Sequence, residues 1–135
     1  MPVTLVVGHN SDSDRAALVD LLWRVRDLEV VGQAAAFDEL LEILERRKPN
    51  AVVIDLGLVP ARKLLGSGSE ARNDEPLKLL SSSKVVAIAA PADDAARRLA
   101  TKLGVAALLD RREVRESLVA TVLRVTASVR GKAAP

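Results

Sequence analysis

The run Lys48-Pro49-Asn50-Ala51-Val52-Val53-Ile54-Asp55 decides the fold of this chain. Its apolar part is rich in β-branched side chains, follows a Pro-Asn turn signal and ends at a carboxylate. A short apolar run bounded in this way is typical of a strand that is buried on both faces. Because open α/β sheets place their chemistry beyond the carboxyl ends of their strands, Asp55 is the first candidate functional residue.

Strand-like and helix-like segments alternate five times around this run. The predicted strands cover residues 3–7, 28–32, 51–55, 84–89 and 105–109. Apolar side chains recur at helical spacing between them, as at Leu18, Leu21, Leu22 and Val25. Short helices are predicted at 61–65 and 76–80, on either side of a Gly-Ser segment at 66–69, and the last helix is predicted to extend its apolar face to Val129.

Alternating units with apolar strands predict an α/β fold. We expect a flavodoxin-like (βα)5 domain with a doubly wound, parallel, five-stranded sheet in the order 2-1-3-4-5. Residues 1–129 form this domain in our interpretation, and residues 130–135 form a C-terminal tail or the start of a linker. The order places the ends of strands 1 and 3 side by side, so the residues after strand 1 should lie close to Asp55.

Composition limits the possible classes of protein. The chain has 135 residues, a net charge of only +2 and no cysteine, which excludes disulfides and thiolate metal sites. No apolar segment is long enough to span a bilayer, and the N-terminus lacks a signal-peptide pattern. We therefore expect a cytoplasmic protein with no membrane partner and no direct contact with nucleic acid.

Three stretches resemble bacterial response-regulator receiver domains. Residues 48–56 resemble their third strand, 84–90 their fourth, and 104–111 their fifth, so that the resemblance covers residues 3–129. It implies that Asp55 occupies the phosphoacceptor position. Receivers bind Mg²⁺ with an acidic pair after strand 1, and they use a hydroxyl residue after strand 4 and a lysine after strand 5.

This chain departs from the receiver pattern at each of those positions. The substitutions are Gly8-His9 or His9-Asn10 for the acidic pair, Ala89 for the hydroxyl residue, Leu108 for the aromatic residue of strand 5, and Arg111 for the lysine. Mg²⁺ requires several oxygen ligands and dehydrates reluctantly, so Asp55 beside an imidazole or an amide is a poor site. We expect no resident cofactor, and Mg²⁺ only if Asp55 is phosphorylated.

Two questions about the carboxylates stay open at this point. Asp12 and Asp14 could join Asp55 as metal ligands if the loop after strand 1 folds back, or Asp12 could cap the first helix, with Asp14 in its first turn. Asp55 itself could accept a phosphoryl group, accept hydrogen bonds from loop amides, or pair with Arg111.

Three functions compete. The leading interpretation is a phosphorylation-independent receiver-like module, not an enzyme, that binds a protein partner or dimerises through helix 4, strand 5 and helix 5. A DNA-binding output domain would then lie outside this chain. The charged residues on that face are Arg97, Arg98, Lys102, Arg112, Arg115 and Glu116.

The first alternative is a phospho-accepting receiver, with Asp55 as acceptor, of a two-component transcriptional regulator. The second is a small-ligand or nucleotide-binding α/β enzyme that uses the loop from Gly8 to Asp14. This loop is similar to the phosphate loop of carboxyaminoimidazole ribonucleotide mutases, and helix N-termini suit anions.

Overall fold

The computed structural model describes residues 2–60 and 75–129. The strands are β1 (Val3–Gly8), β2 (Leu28–Ala34), β3 (Ala51–Asp55), β4 (Lys84–Ala89) and β5 (Ala107–Asp110). The helices are α1 (Asp12–Trp23), α2 (Phe37–Arg47), α3 (Glu75–Ser81), α4 (Asp94–Leu103) and α5 (Val114–Val125). Single 3-10 turns at Leu56–Leu58 and Arg111–Glu113 follow β3 and β5.

All strand pairs are parallel, and the order is β2-β1-β3-β4-β5, which confirms the predicted flavodoxin-like sheet. Each face carries its own apolar core. Val6, Val52 and Ala87 point to the face covered by α2, α3 and α4. Alternate residues such as Val7 and Val53 point to the face covered by α1 and α5. The buried central strands explain why their sequences are continuously apolar.

Several element ends differ from the sequence prediction. The second strand runs two residues further, to Ala34, because Gln33 and Ala34 pair with the end of β1. The fifth strand begins at Ala107 rather than 105, since the Val105 N–H bonds to the Ala100 carbonyl and completes the end of α4. Gly104 adopts a φ of 70° there, which favours glycine.

The last helix α5 ends at Val125, and after a turn at Thr126 residues 127–129 are again helical, so the predicted extension to Val129 is interrupted at Thr126. The buried hydroxyl of Thr126 donates to the Val122 carbonyl at 2.7 Å. Such bonds from threonine to the preceding turn compete with helical backbone bonding. The predicted helix at 76–80 is confirmed as α3, whereas the predictions at 61–65, 66–69 and 130–135 lie outside the described residues. None of the described helices is long and apolar enough to cross a membrane.

Candidate functional site

Strand register brings His9 and Asp55 together at the carboxyl edge of the sheet. Gly8 at the end of β1 pairs with Ile54 of β3, so the next residue on each strand becomes a neighbour of the other. His9, which belongs to both of the alternative pairs Gly8-His9 and His9-Asn10, is buried against Asp55, whereas Asn10 is exposed. Of the two, His9 is therefore the residue that faces the carboxylate.

The two nitrogens of His9 have different partners. Nδ1 accepts a hydrogen bond from the backbone N–H of Ser11 at 3.0 Å. Nε2 lies 3.1 Å from Oδ2 of Asp55, and the two side chains are 10% and 20% exposed. A nitrogen that accepts from an amide has no proton of its own, so in the neutral ring the proton is on Nε2. Nε2 of His9 is therefore the nitrogen that lies against the Asp55 carboxylate.

The second carboxylate oxygen of Asp55 is bonded to its own loop. Oδ1 accepts the backbone N–H of Gly57 at 2.7 Å and caps the 3-10 turn Leu56–Leu58. The expectation that Asp55 accepts hydrogen bonds from loop amides is confirmed. Oδ1 is therefore held by a backbone amide, while Oδ2 lies beside the His9 imidazole.

Arg111 pairs with Asp14 and not with Asp55. Its Nη2 lies 3.3 Å from Oδ2 of Asp14, which in turn lies 3.8 Å from Nε2 of His9. The predicted Arg111–Asp55 pair is wrong because Asp14 lies nearer to the guanidinium. No lysine or arginine of residues 2–60 and 75–129 forms an ion pair with Asp55. Asp55 accordingly has no permanent cation beside it within that part of the chain.

The sequence predicted Asp14 either as a metal ligand together with Asp12 or as a carboxylate of the first helical turn, and it did not predict a contact with His9 or Arg111. The structure makes it the link between His9 and Arg111. One signal could have revealed this role: Asp14 precedes the buried Leu18 by four residues, so both lie on the inward face of α1.

Asp12 takes no part in this cluster. Its side chain is 88% exposed and pairs with Arg15 at 2.6 Å. Arg15 also donates to the backbone carbonyl of His9 at 2.8 Å. The idea that Asp12 joins Asp55 as a metal ligand is therefore wrong, and the cap of α1 is provided by Ser11, whose Oγ accepts from the Asp14 N–H. The loop after β1 serves to hold His9 in place.

Solved structures with the same fold are receiver domains. The response regulator domain of Thermotoga maritima CheB superposes with a TM-score of 0.72 and 18% identity over 94% of this chain and 98% of that one. The signal receiver domain of NarL from Mycobacterium tuberculosis superposes with a TM-score of 0.71 and 22% identity over 91% of this chain and 94% of that one. A LuxR-family two-component response regulator from Aurantimonas sp. SI85-9A1 superposes with a TM-score of 0.75 and 16% identity over 95% of this chain and 87% of that one.

This chain has the receiver fold. By sequence, no family model matches it, and none of the curated proteins matches it either. The fold places Asp55 at the end of the central strand β3, where receivers carry their phosphoacceptor aspartate.

The residues around Asp55 do not fit the Mg²⁺ that receivers use. Mg²⁺ needs oxygen lone pairs in octahedral geometry, and the atom that lies 3.1 Å from Asp55 Oδ2 is the imidazole Nε2 of His9. In the described part of the chain, no three histidine or acidic side chains form a group that could hold a metal ion. Asp14 is the other described carboxylate that pairs with His9, and Arg111 already pairs with it.

The two switch positions of the receiver fold have apolar side chains here. Ala89, at the hydroxyl position, is buried at the end of β4, and Leu108 packs against the core on the side of α2, α3 and α4. Neither can hydrogen-bond a phosphoryl group through its side chain.

Asp110 provides the polar link between the ends of β4 and β5. Its Oδ1 accepts the Arg112 N–H at 3.0 Å and its Oδ2 accepts the Ala92 N–H at 3.1 Å. These two backbone donors, with a smaller contribution from the Arg112 side chain, hold the pKa of Asp110 below its ordinary value of 3.8. Asp110 and Glu113 also form the capping box that the sequence predicted before the last helix.

Proposed function

We propose that this chain is a receiver-type signalling domain that acts through contacts with other proteins, without ordinary Mg²⁺-dependent phosphorylation of Asp55. The observation that carries the proposal is the 3.1 Å contact between His9 Nε2 and Asp55 Oδ2. An imidazole N–H stands where receivers hold the metal that makes the aspartate reactive. The fold supports a signalling role, and the altered pocket supports a role that does not depend on phosphoryl transfer.

The chemical reason lies in charge. A phosphoryl group that approaches a carboxylate brings negative charge toward negative charge, and metal ions normally neutralise it. Here Arg111 pairs with Asp14, and among the described residues Asp55 accepts the neutral Gly57 amide and pairs with no lysine or arginine. A phosphorylated Asp55 would also lack the hydroxyl that receivers use, because Ala89 replaces it.

Contacts are proposed through the face built from α4, β5 and α5, either with a second copy of this chain or with another protein. The charged residues on this face are all exposed, namely Arg97, Arg98, Lys102, Arg112, Arg115 and Glu116. Charges of both signs on one face suit pairing in trans. Light scattering at two protein concentrations tests dimerisation, and the charge reversal Arg98→Glu should weaken it.

A DNA-binding output domain outside this chain is part of the proposal, as is a cytoplasmic location. Solved structures with the same fold include a LuxR-family DNA-binding response regulator from Staphylococcus aureus and an RcsB–DNA complex. Expression of the complete gene product, followed by a DNA-binding assay, tests whether such a domain is attached.

Treatment with acetyl phosphate and Mg²⁺, followed by intact-mass measurement, tests the central part of the proposal. We expect the mass of the wild-type chain to stay unchanged. A gain of one phosphoryl group that disappears in Asp55→Asn would establish the alternative, a phospho-accepting receiver. That alternative is favoured by one observation, the 20% exposure of the Asp55 side chain at the end of β3.

The enzyme alternative finds no support in the loop from Gly8 to Asp14. Its polar side chains are engaged within the chain: Ser11 caps α1, Asp12 pairs with Arg15, and Asp14 pairs with Arg111. A thermal-shift screen with ribonucleotides would reveal a phosphate ligand if the loop bound one.

A further inference from the structure

We propose that Asp55 and the alanine-lined pocket beside it bind the ammonium group of a lysine side chain presented by a protein partner. This inference rests on the proposed function, because an Asp55 that served as a phosphoryl acceptor could not also serve as a lasting counter-charge. It names the chemistry by which the partner is recognised.

Asp55 has a negative charge that its described neighbours do not neutralise. Its one hydrogen bond among the described residues comes from the neutral Gly57 amide, and Oδ2 lies 3.1 Å from His9 Nε2. An ionised carboxylate can accept about four hydrogen bonds, so most of its capacity is free. The side chain is 20% exposed, which leaves a route for a ligand atom.

The exposed side of Asp55 opens into a pocket of about 340 Å³. Four alanines form much of its wall, Ala89, Ala90, Ala95 and Ala96. Ala89 stands where receivers have a hydroxyl residue, so the replacement removes a polar atom as well as side-chain volume. Asp55 is the only charged residue that lines the pocket among the described residues.

Lysine matches this combination of an apolar wall and one anionic end. Its alkyl stem packs along apolar surface while its ammonium remains near polar atoms. Arginine fits less well, because a planar guanidinium pairs best with two carboxylate oxygens at once, while Oδ1 of Asp55 accepts the Gly57 amide and Oδ2 lies 3.1 Å from the His9 ring. An anion is excluded by the charge of Asp55, since the nearby Arg111 is held by Asp14.

The experiment titrates the full chain with Nα-acetyl-lysine methylamide and follows the amide signals by NMR. We expect saturable shifts at Gly57 and at residues 89–96. The Nε-acetylated form of the probe has the same stem without the charge, and it should bind about tenfold more weakly or not at all. Binding of both forms with equal strength would overturn the proposal.

Three variants locate the site. Asp55→Asn keeps an oxygen for the Gly57 amide and should lose at least about tenfold in affinity. Ala95→Leu adds volume at an exposed helical position of the pocket wall and should also block binding. Asp94→Asn removes the same charge from a carboxylate of α4 that does not line the pocket, and it should bind the probe like the wild type.

Two results would overturn the assignment to a protein partner. The first is binding of cadaverine without binding of the lysine probe, which would indicate a free amine as the ligand. The second is probe binding that appears only in Lys63→Ala, which would indicate that a lysine of this chain competes for Asp55. The lysine-probe titration uses protein that has not been treated with acetyl phosphate. An absence of probe binding would therefore refute this inference alone, whereas a phosphoryl mass gain in the other experiment would refute the proposed function.

Discussion

His9 Nε2 lies 3.1 Å from Oδ2 of Asp55, while His9 Nδ1 accepts the N–H of Ser11. The ring therefore lies between a backbone donor and the Asp55 carboxylate. The imidazole is thus the side chain that stands beside the carboxylate at the end of β3.

Removal of the imidazole should destabilise the domain. In His9→Ala, the Ser11 amide loses its acceptor and Asp55 loses one donor in a partly buried site. The expected cost is about 1–3 kcal/mol in the free energy of unfolding, measured by urea denaturation. Asn10→Ala is the matched control, because Asn10 is exposed, and it should change stability by less than about 0.5 kcal/mol. Equal losses of stability in His9→Ala and Asn10→Ala would contradict a stabilising role for the His9 contacts.

An acid at position 9 should create Mg²⁺ binding. His9→Asp places a second carboxylate beside Asp55, where like charges repel until a cation joins them. Without Mg²⁺ this variant should be less stable than the wild type. With Mg²⁺ at ten times its dissociation constant it should regain about 1.4 kcal/mol, seen as a rise in Tm.

The wild-type chain and Asn10→Asp provide the comparison for that experiment. Neither should respond to Mg²⁺ beyond a general salt effect, because Asn10 is exposed while His9 is the residue that faces Asp55. A Mg²⁺ response in Asn10→Asp alone would show that the loop adopts the other register.

The cap at Asp110 should make stability depend on pH. The Arg112 and Ala92 amides lower the pKa of this carboxyl. Its contribution to the stability of the folded state is therefore complete above the ordinary pKa of 3.8. That contribution is lost as the pH falls through the folded-state pKa. Asp110→Ala should therefore unfold more readily than the wild type near neutral pH. The difference should shrink at a pH below the folded-state value. Urea denaturation at both pH values measures it, and a difference that grew on acidification would contradict the assignment.

The Arg111–Asp14 pair should contribute little to stability. Arg111 is 64% exposed, and exposed ion pairs are weak and screened by salt. A double-mutant cycle with Arg111→Ala and Asp14→Ala should give a coupling energy of about 0.2–1 kcal/mol that falls in high salt. A coupling energy well above that range would contradict the weak pair that the exposure of Arg111 predicts. It would indicate that the pair also holds His9 in its orientation.

The sequence was sufficient to predict the sheet. Continuous apolar strands separated by helical periodicity allow few parallel arrangements, and the run that ends at Asp55 identified the central strand. The position of Asp55 followed from the strand order. The ends of the elements were less predictable, because Gly104 and Thr126 act through local backbone bonds that apolar spacing does not record.

The partners within the site were harder to predict. Strand order places Arg111 at the correct edge, but the choice between Asp14 and Asp55 depends on where the first turn of α1 directs its side chains. The sequence also did not show which residue after strand 1 would lie against Asp55, since a single residue of shift moves every side chain to the other face. The pairing of Gly8 with Ile54 brings His9 to that position.

The protonation of His9 tests the account most directly, and the chain has a single histidine, so its NMR signals are unambiguous. Long-range ¹H–¹⁵N correlation of the ring, recorded at neutral pH with and without Mg²⁺, distinguishes the two tautomers from the imidazolium. The account predicts the tautomer with the proton on Nε2 and a spectrum that Mg²⁺ leaves unchanged. A proton on Nδ1, or a spectrum that Mg²⁺ alters, would contradict it.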